Sequence, residues 1–283
     1  MRFLRSHQKY LLTASFLVVF LFICPKQSLG ESGIQAVSAY YQSYLEKGYG
    51  HGLSLEDLKN LDSDGDGLSD YFELFVSQTN PLNPDTDGDG YDDYTEIYHG
   101  YSPRHAEPIK LSQLDSNNDK IPNSWKIKFG LNILESDNDG DGYDDYTEIM
   151  NGYNPASPDQ TKIEKTIRVD LSKQILTYYF GSIQLEKFPI SGGRAGYPTP
   201  KGNFKILAKE DSKTYGGIGW NFYYPNTKWN LHFTTNYWRY YIHGAYWHNN
   251  FGQPMSSGCV NVHYLDMERL YNFAEIGTKI KIF

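Results

Sequence analysis

His243-Gly244-Ala245-Tyr246-Trp247-His248-Asn249-Asn250-Phe251-Gly252-Gln253-Pro254-Met255-Ser256-Ser257-Gly258-Cys259-Val260-Asn261 is the stretch on which the reading of this 283-residue chain turns. A histidine stands sixteen positions ahead of a cysteine (259 − 243), and the cysteine follows a Ser-x-Gly turn. A thiolate is the strongest nucleophile a side chain offers, but a free thiol, with a pKa of about 8.5, is mostly protonated near neutral pH. An imidazole that accepts its proton removes that obstacle. Gly258 permits a tight turn that presents Cys259 at an edge. The same turn can aim the N–H groups of Gly258 and Cys259 at a developing oxyanion.

The stretch resembles the signature of the YkuD-type L,D-transpeptidase catalytic domain: His-Gly, a spacer, then Ser-x-Gly-Cys, a hydrophobic residue and Asn or Arg. The resemblance implies that Cys259 is the nucleophile and His243 its base, with Gly244 and Gly258 supporting them. His248, together with Trp247, Ser256, Ser257 and Asn261, would line the substrate channel. Ser257 stands where many members have His, and Asn261 where many have Arg. The implied reaction releases D-Ala from a peptidoglycan stem peptide through a cysteine thioester. A second stem then resolves the thioester into a 3→3 cross-link, or water does so in an L,D-carboxypeptidase. No cofactor is implied for catalysis, and carbapenem-type β-lactams would acylate Cys259.

Outward from that stretch the pattern is that of strands. Ile167-Arg168-Val169-Asp170-Leu171 alternates, and Ile175–Phe180 and Ile183–Ile190 flank a Gly181-Ser182 turn, which predicts a hairpin. Asn203–Leu207 and Thr278–Phe283 read as strands, Leu265–Ala274 as a short helix, and Tyr215–Tyr240 as a loop-rich aromatic wall over the site. Asp170-Leu171-Ser172-Lys173-Gln174 and Tyr197-Pro198-Thr199-Pro200-Lys201-Gly202-Asn203-Phe204 are also similar to YkuD phrases. They extend the resemblance over about 165–283 and imply a mostly β, sandwich-like domain.

Residues 62–148 hold four related loops. The first places Asp62, Asp64, Asp66, Leu68, Asp70 and Glu73 at positions 1, 3, 5, 7, 9 and 12. The second places Asp85, Asp87, Asp89, Tyr91, Asp93 and Glu96 there, and the fourth Asp137, Asp139, Asp141, Tyr143, Asp145 and Glu148. This is the twelve-position calcium loop: carboxylates at 1, 3, 5 and 9, a carbonyl at 7, a bidentate Glu at 12 and Gly at 6. Clustered carboxylates repel unless a cation neutralises them. The third loop departs, with Lys120 in place of the turn glycine and Lys126 in place of the glutamate, so weak or no binding is expected of it. Short helices follow each loop, with Gly100, Gly130 and Gly152 at C-cap positions. The Asn-Pro-x-x-Asp-x-Asp-x-Asp-Gly phrasing is similar to the bacterial thrombospondin type 3 repeat, which implies a spacer stiffened by structural calcium.

Three segments follow. Residues 1–30 have Arg2, Arg5 and Lys9 ahead of an apolar run to Cys24, as in a secretory leader or an uncleaved anchor. Residues 31–160 are a helical lead-in, capped at Ser54, and the calcium repeats; residues 161–283 are the catalytic domain. The expected location is the periplasm, wall or outer face of a bacterium. If the leader is removed, Cys259 is the one thiol left and has no internal disulfide partner. Residues 51–160 carry 24 acidic and 6 basic side chains and residues 161–283 carry 8 and 15, an asymmetry that predicts parts with different partners. Peptidoglycan stems suit the basic half. Nucleic acid is not expected, membrane contact is expected only through the anchor, and no oligomeric state follows. Two other classes stay open: a zinc site of His243, His248, Cys259 and His263, and a calcium-dependent wall-binding protein with an inactive catalytic domain.

Overall fold

The computed structural model describes residues 52–219, 221–235 and 239–283. The leader at 1–30 and the lead-in up to residue 51 lie outside these residues. Helix α1 (Leu55–Asn60) opens the described chain with a capping box, in which Ser54 Oγ accepts from Asp57 N–H and Asp57 accepts from Ser54 N–H. Each loop then runs into a short helix. Asp70–Phe72 (α2) continues as a wide π turn, Glu73–Ser77; Asp93–His99 is α3, Asn123–Phe129 α4 and Asp145–Asn151 α5. Asp92 and Asp144 cap α3 and α5. Gly100, Gly130 and Gly152 end α3, α4 and α5 in the left-handed conformation that glycine enters without a Cβ clash.

The C-terminal part is one nine-stranded sheet and one helix. In chain order the strands are β1 (Lys165–Asp170), β2 (Ile175–Phe180), β3 (Ile183–Ser191), β4 (Gly202–Lys205), β5 (Ala208–Gly216), β6 (Tyr223–His232), β7 (Tyr241–Gly244), β8 (Val260–Val262) and β9 (Lys279–Ile282); α6 is Tyr264–Phe273. The sheet order is β4-β9-β1-β2-β3-β8-β7-β6-β5. Its two edges, β4 and β5, are joined by Ile206 and Leu207 alone, so the sheet must curl until they meet. They do meet: Leu207 N–H donates to His232 O, and the Phe204 and Phe233 rings lie 5.2 Å apart. The curl gives the sandwich-like shape expected from the sequence. The stretch expected as a loop-rich wall is instead largely the long β5–β6 hairpin, because its aromatic and β-branched residues suit pleated pairing.

α6 crosses the inside of the curl, burying Met267, Leu270 and Phe273. Its C-terminal carbonyls are met by two lysines: Lys165 Nζ donates to Phe273 O at 2.9 Å, and Lys209 Nζ to Ala274 O at 2.6 Å.

The core does not stop at the domain boundary. Ile121, Trp125 and Ile149 of the repeats belong to the same buried cluster as Ile167, Tyr178, Leu185 and Phe273. Trp125 is 2% exposed, packs edge-on against Tyr178 and Phe273, and donates its indole N–H to Glu186 Oε1 at 3.2 Å. Lys128 Nζ donates to Leu185 O. Helix α1 and the first repeat have a small cluster of their own, built on Leu58 and Leu74. Trp125→Ala is therefore expected to destabilise the β domain as well as the repeat, by about 3–5 kcal/mol. That corresponds to a fall in melting temperature on the order of 10 °C. Thermal unfolding followed by circular dichroism checks it; a change of a degree or two would show that the indole is not part of a shared core.

Candidate active site and metal loops

β7 and β8 are adjacent and parallel, with Ile242 opposite Val260 and His243 opposite Asn261. This register brings the histidine of one strand and the cysteine that leads into the other to the same end of the sheet. His243 is buried, and its Nδ1 lies 2.9 Å from Gly244 O. A carbonyl can only accept, so Nδ1 carries the proton and Nε2 keeps its lone pair. The Gly244 carbonyl thus selects the tautomer. Its missing Cβ makes room as well: one built there would stand 2.5 Å from the Tyr264 ring.

Cys259 is half-buried and free. Burial pushes its thiol up to about 11 and pushes the His243 imidazole down to about 4. The resting pair is therefore neutral thiol and neutral imidazole. Gly258 sits at φ 112°, and a Cβ there would meet the Tyr240 ring at 2.2 Å, so glycine is required twice over. The Gly258 N–H, expected as an oxyanion donor, donates instead to Ser256 Oγ at 3.1 Å. Ser256 is likewise corrected: it is buried, and its hydroxyl also donates to Cys259 O at 2.5 Å, so it holds the turn together rather than facing substrate. Ser257 is exposed.

Asn261 is buried and its amide lies 3.1 Å from His248 Nε2, a second-layer position. His248 Nδ1 accepts from Asn250 N–H, and Asn261 Nδ2 faces its Nε2. Trp247 stacks on Tyr224 at 3.9 Å and reaches to 5.8 Å from the His243 ring. His248 and Trp247 are both half-buried.

Tyr215 was not singled out by the sequence. Its ring stacks on the His243 imidazole at 4.5 Å, and its hydroxyl donates to Asn230 Oδ1 at 2.8 Å. The signal was present in Lys213-Thr214-Tyr215-Gly216, but among so many tyrosines nothing in the sequence marked this one. Among the described residues, the sets of metal-ligating side chains with mutually close ligand atoms are three aspartate triads; His243, His248, Cys259 and His263 form none. His263 lies at the N-cap of α6 against Phe251.

The triads are Asp62–Asp64–Asp66, Asp85–Asp87–Asp89 and Asp137–Asp139–Asp141. In each loop the position 1 carboxylate accepts from the glycine amides at 4 and 6 (for Asp62, Gly65 and Gly67), and the position 7 amide of Leu68, Tyr91 or Tyr143 donates to position 5. Other oxygens face inward without hydrogen-bond partners among the described residues: Asp64 Oδ2 and Glu73 Oε2, Asp87 Oδ2 and Glu96 Oε2, Asp139 Oδ2 and both oxygens of Glu148. Burial, reinforced by neighbouring carboxylates, pushes Glu73 up to about 9 and Glu96 and Glu148 up to about 8. Buried, unpartnered carboxylates around one point fit a hard divalent cation.

Position 9 makes a further set of bonds. Asp70 accepts from Ser63 N–H and Oγ, Asp93 from Thr86 N–H and Oγ, and Asp145 from Asn138 N–H and Nδ2. These three staple position 2 to the following helix.

Loop three keeps the backbone shape of the others. Asn118 and Lys120 take φ 60° and 76°, where loop two has Gly88 at 80° and Gly90 at 99°. Its chemistry differs. Lys126 is fully buried and its ammonium lies 2.5 Å from Asp119 Oδ2 and 3.2 Å from Asp145 Oδ2, and donates to Glu135 O. The loop carries its own cation.

The L,D-transpeptidase catalytic domain profile, YkuD, matches residues 164–282, and the bacterial TSP3 repeat matches residues 62–84 and 85–100. Curated proteins give no match. Among solved structures, the L,D-transpeptidase from Mycobacterium smegmatis aligns at 24% identity over 44% of this chain and 60% of that one, with a TM-score of 0.40. L,D-transpeptidase 3 from Mycobacterium tuberculosis aligns at 21% over 44% and 62%, TM-score 0.40. The catalytic domain of the Enterococcus faecium L,D-transpeptidase aligns at 26% over 42% and 97%, TM-score 0.38. The alignment thus spans about three-fifths of the mycobacterial chains. By these profile matches, residues 164–282 are an L,D-transpeptidase catalytic domain of the YkuD family, preceded in the chain by bacterial TSP3 repeats.

Proposed function

We propose that the protein is an exported L,D-transpeptidase that cross-links peptidoglycan, with calcium stiffening its first, second and fourth repeat loops. What supports the reading is the placement of Cys259, presented by a glycine turn, and of His243, its Nδ1 tied to Gly244 O, on adjacent parallel strands. His243 Nε2 takes the thiol proton as the sulfur attacks the carbonyl between the third stem residue and its terminal D-Ala. The carbon–nitrogen bond breaks, and the imidazolium returns the proton to the departing D-Ala amine. The side-chain amine of a second stem then attacks the thioester, the thiolate leaves, and a 3→3 cross-link remains. The Cys259 N–H is the backbone donor this arrangement assigns to the oxyanion, since that of Gly258 is engaged.

Incubating the full chain with tetrapeptide muropeptides and reading products by mass tests this. The expected product is a dimer lighter than two monomers by one alanine. Loss of alanine without a dimer would make the enzyme a carboxypeptidase; retention of every alanine would leave a wall-binding protein. A carbapenem should add one drug mass to the native chain and none to Cys259→Ala.

Calcium would be held by Asp62, Asp64, Asp66 and Glu73, and by their counterparts in loops two and four, where it supplies the positive charge that lets buried carboxylates ionise. Calorimetry should count about three ions. Since burial holds Glu73, Glu96 and Glu148 protonated at pH 7, binding should release protons, and affinity should weaken as pH falls. Heats identical in buffers of different protonation enthalpy would contradict that.

A further inference from the structure

An imidazolium on His243 would form in a site with little water. The side chain is 3% exposed, and burial opposes any charge on its ring. Its Nδ1 partner is the neutral Gly244 carbonyl, not a carboxylate. The charge has to be met by something other than a counter-ion at that nitrogen.

The ring of Tyr215 is in place to meet it. It stacks on the imidazole with the centroids 4.5 Å apart and the planes 27° from parallel. The face of an aromatic ring is its negative side, and a cation within about 6 Å of the centroid is attracted to it. Trp247, also beside His243, is farther off at 5.8 Å and tilted by 38°.

The sheet holds the Tyr215 ring in that pose. Asn230 of β6 is the cross-strand partner of His243 on β7 and is fully buried. Its Nδ2 donates to Thr227 O at 2.8 Å and to Glu210 O at 3.1 Å, which fixes the amide and leaves Oδ1 as the acceptor. The Tyr215 hydroxyl donates to that oxygen at 2.8 Å. On β5 the pairing with β6 shifts between Lys213 and Tyr215, an irregularity of the kind that re-aims a side chain. Tyr241 flanks the Tyr215 ring edge-on at 6.0 Å.

We infer that Tyr215, braced by Asn230, is a positioning residue that stacks on the His243 imidazole and stabilises the positive charge this ring acquires with the thiol proton.

Acylation of the full chain by a carbapenem, followed by mass, tests this without a peptide substrate. The sulfur attacks the lactam carbonyl, the lactam C–N bond breaks, and His243 passes the thiol proton to the released nitrogen. Position 215 is to carry phenylalanine with none, one, two and three ring fluorines in turn. Fluorine weakens the negative face while changing the size of the ring little, and every member of the series lacks the hydroxyl equally. Acylation is expected to slow stepwise, by about tenfold from Tyr215→Phe to the trifluorinated ring, at an unchanged melting temperature and an unchanged drug affinity before acylation. A ring that only fills space would give one rate throughout, and such a flat series overturns the inference. So does a Tyr215→Leu protein that acylates as fast as Tyr215→Phe; the fluorinated series decides the matter if the leucine variant folds poorly. All of this rests on His243 being the base of Cys259, and His243→Ala tells the two failures apart. If that variant acylates as fast as the native chain, the base reading falls and the inference with it. If it is slow and the series is flat, the ring alone has been misread.

Discussion

Cys259→Ser is expected to abolish muropeptide transfer, with a loss of several orders of magnitude, and to leave the fold unchanged. The change replaces one atom, and Cys259 is half-buried beside a turn whose hydrogen bonds run through Ser256 and backbone groups, none of them through sulfur. Only the chemistry is altered. An alcohol is far harder to ionise than a thiol, and His243, pushed down to about 4, is a weak base. A serine protease overcomes this with a carboxylate that stabilises the imidazolium. Here the partner of His243 Nδ1 is the neutral Gly244 carbonyl, so a hydroxyl receives no such help. Transfer by Cys259→Ser within tenfold of the native rate, at unchanged melting temperature, would mean that another group carries the acyl chain. His243→Ala should also fail, but its residual thiolate chemistry should recover as pH rises toward the Cys259 value of about 11. The serine variant should show no such recovery.

The candidate pair His243 and Cys259 was legible in the sequence because the motif is compressed into nineteen consecutive residues with a glycine at each constrained point. The candidate metal loops were legible for the same reason: acidic residues, turn glycine and capping residue all lie within a dozen positions. What escaped was assembled from distant segments. Tyr215 and Asn230 meet His243 only because β5, β6 and β7 are neighbours in the sheet, and no local pattern announces that neighbourhood. Ser256 looked like a substrate contact by its place in the motif, yet the turn's own unsatisfied amide and carbonyl claim its hydroxyl. Position 9 of the loops has a second use that the loop pattern did not announce, since its aspartate also staples an adjacent backbone amide. The division at residue 160 followed a change in charge and in strand periodicity. Trp125 and Ile149, which carry the core across it, sit in helices whose burial depends on a partner the local sequence does not name.

Lys126→Met should be among the most damaging single changes in the chain. The Lys126 ammonium is fully buried between Asp119 and Asp145, which are 6% and 0% exposed, and it also meets the Glu135 carbonyl. Removing it leaves two carboxylates and a carbonyl facing one another without a cation, a loss of about 3–5 kcal/mol for breaking a buried pair from one side. The effect should reach the catalytic domain, because Trp125 precedes Lys126 on α4 and is seated in the shared core. The pH dependence has a defined sign. Burial already raises Asp145, and Lys126 opposes the rise. Without the lysine its folded value climbs further above the unfolded one, so the penalty is largest at high pH and shrinks as pH falls and the acid takes up a proton. Calcium should rescue a different variant. Lys126→Glu combined with Lys120→Gly restores the position 12 carboxylate and relieves Lys120 of its left-handed backbone. Its melting temperature should rise with calcium and collapse with a chelator, by about 2.7 kcal/mol at a hundredfold excess over the dissociation constant. The native third loop should show neither response, since its cation is covalently attached. A Lys126→Met protein as stable as the native chain would mean that the ammonium is incidental. A native protein whose α4 loses protection from hydrogen exchange when calcium is removed would mean that the third repeat depends on metal after all.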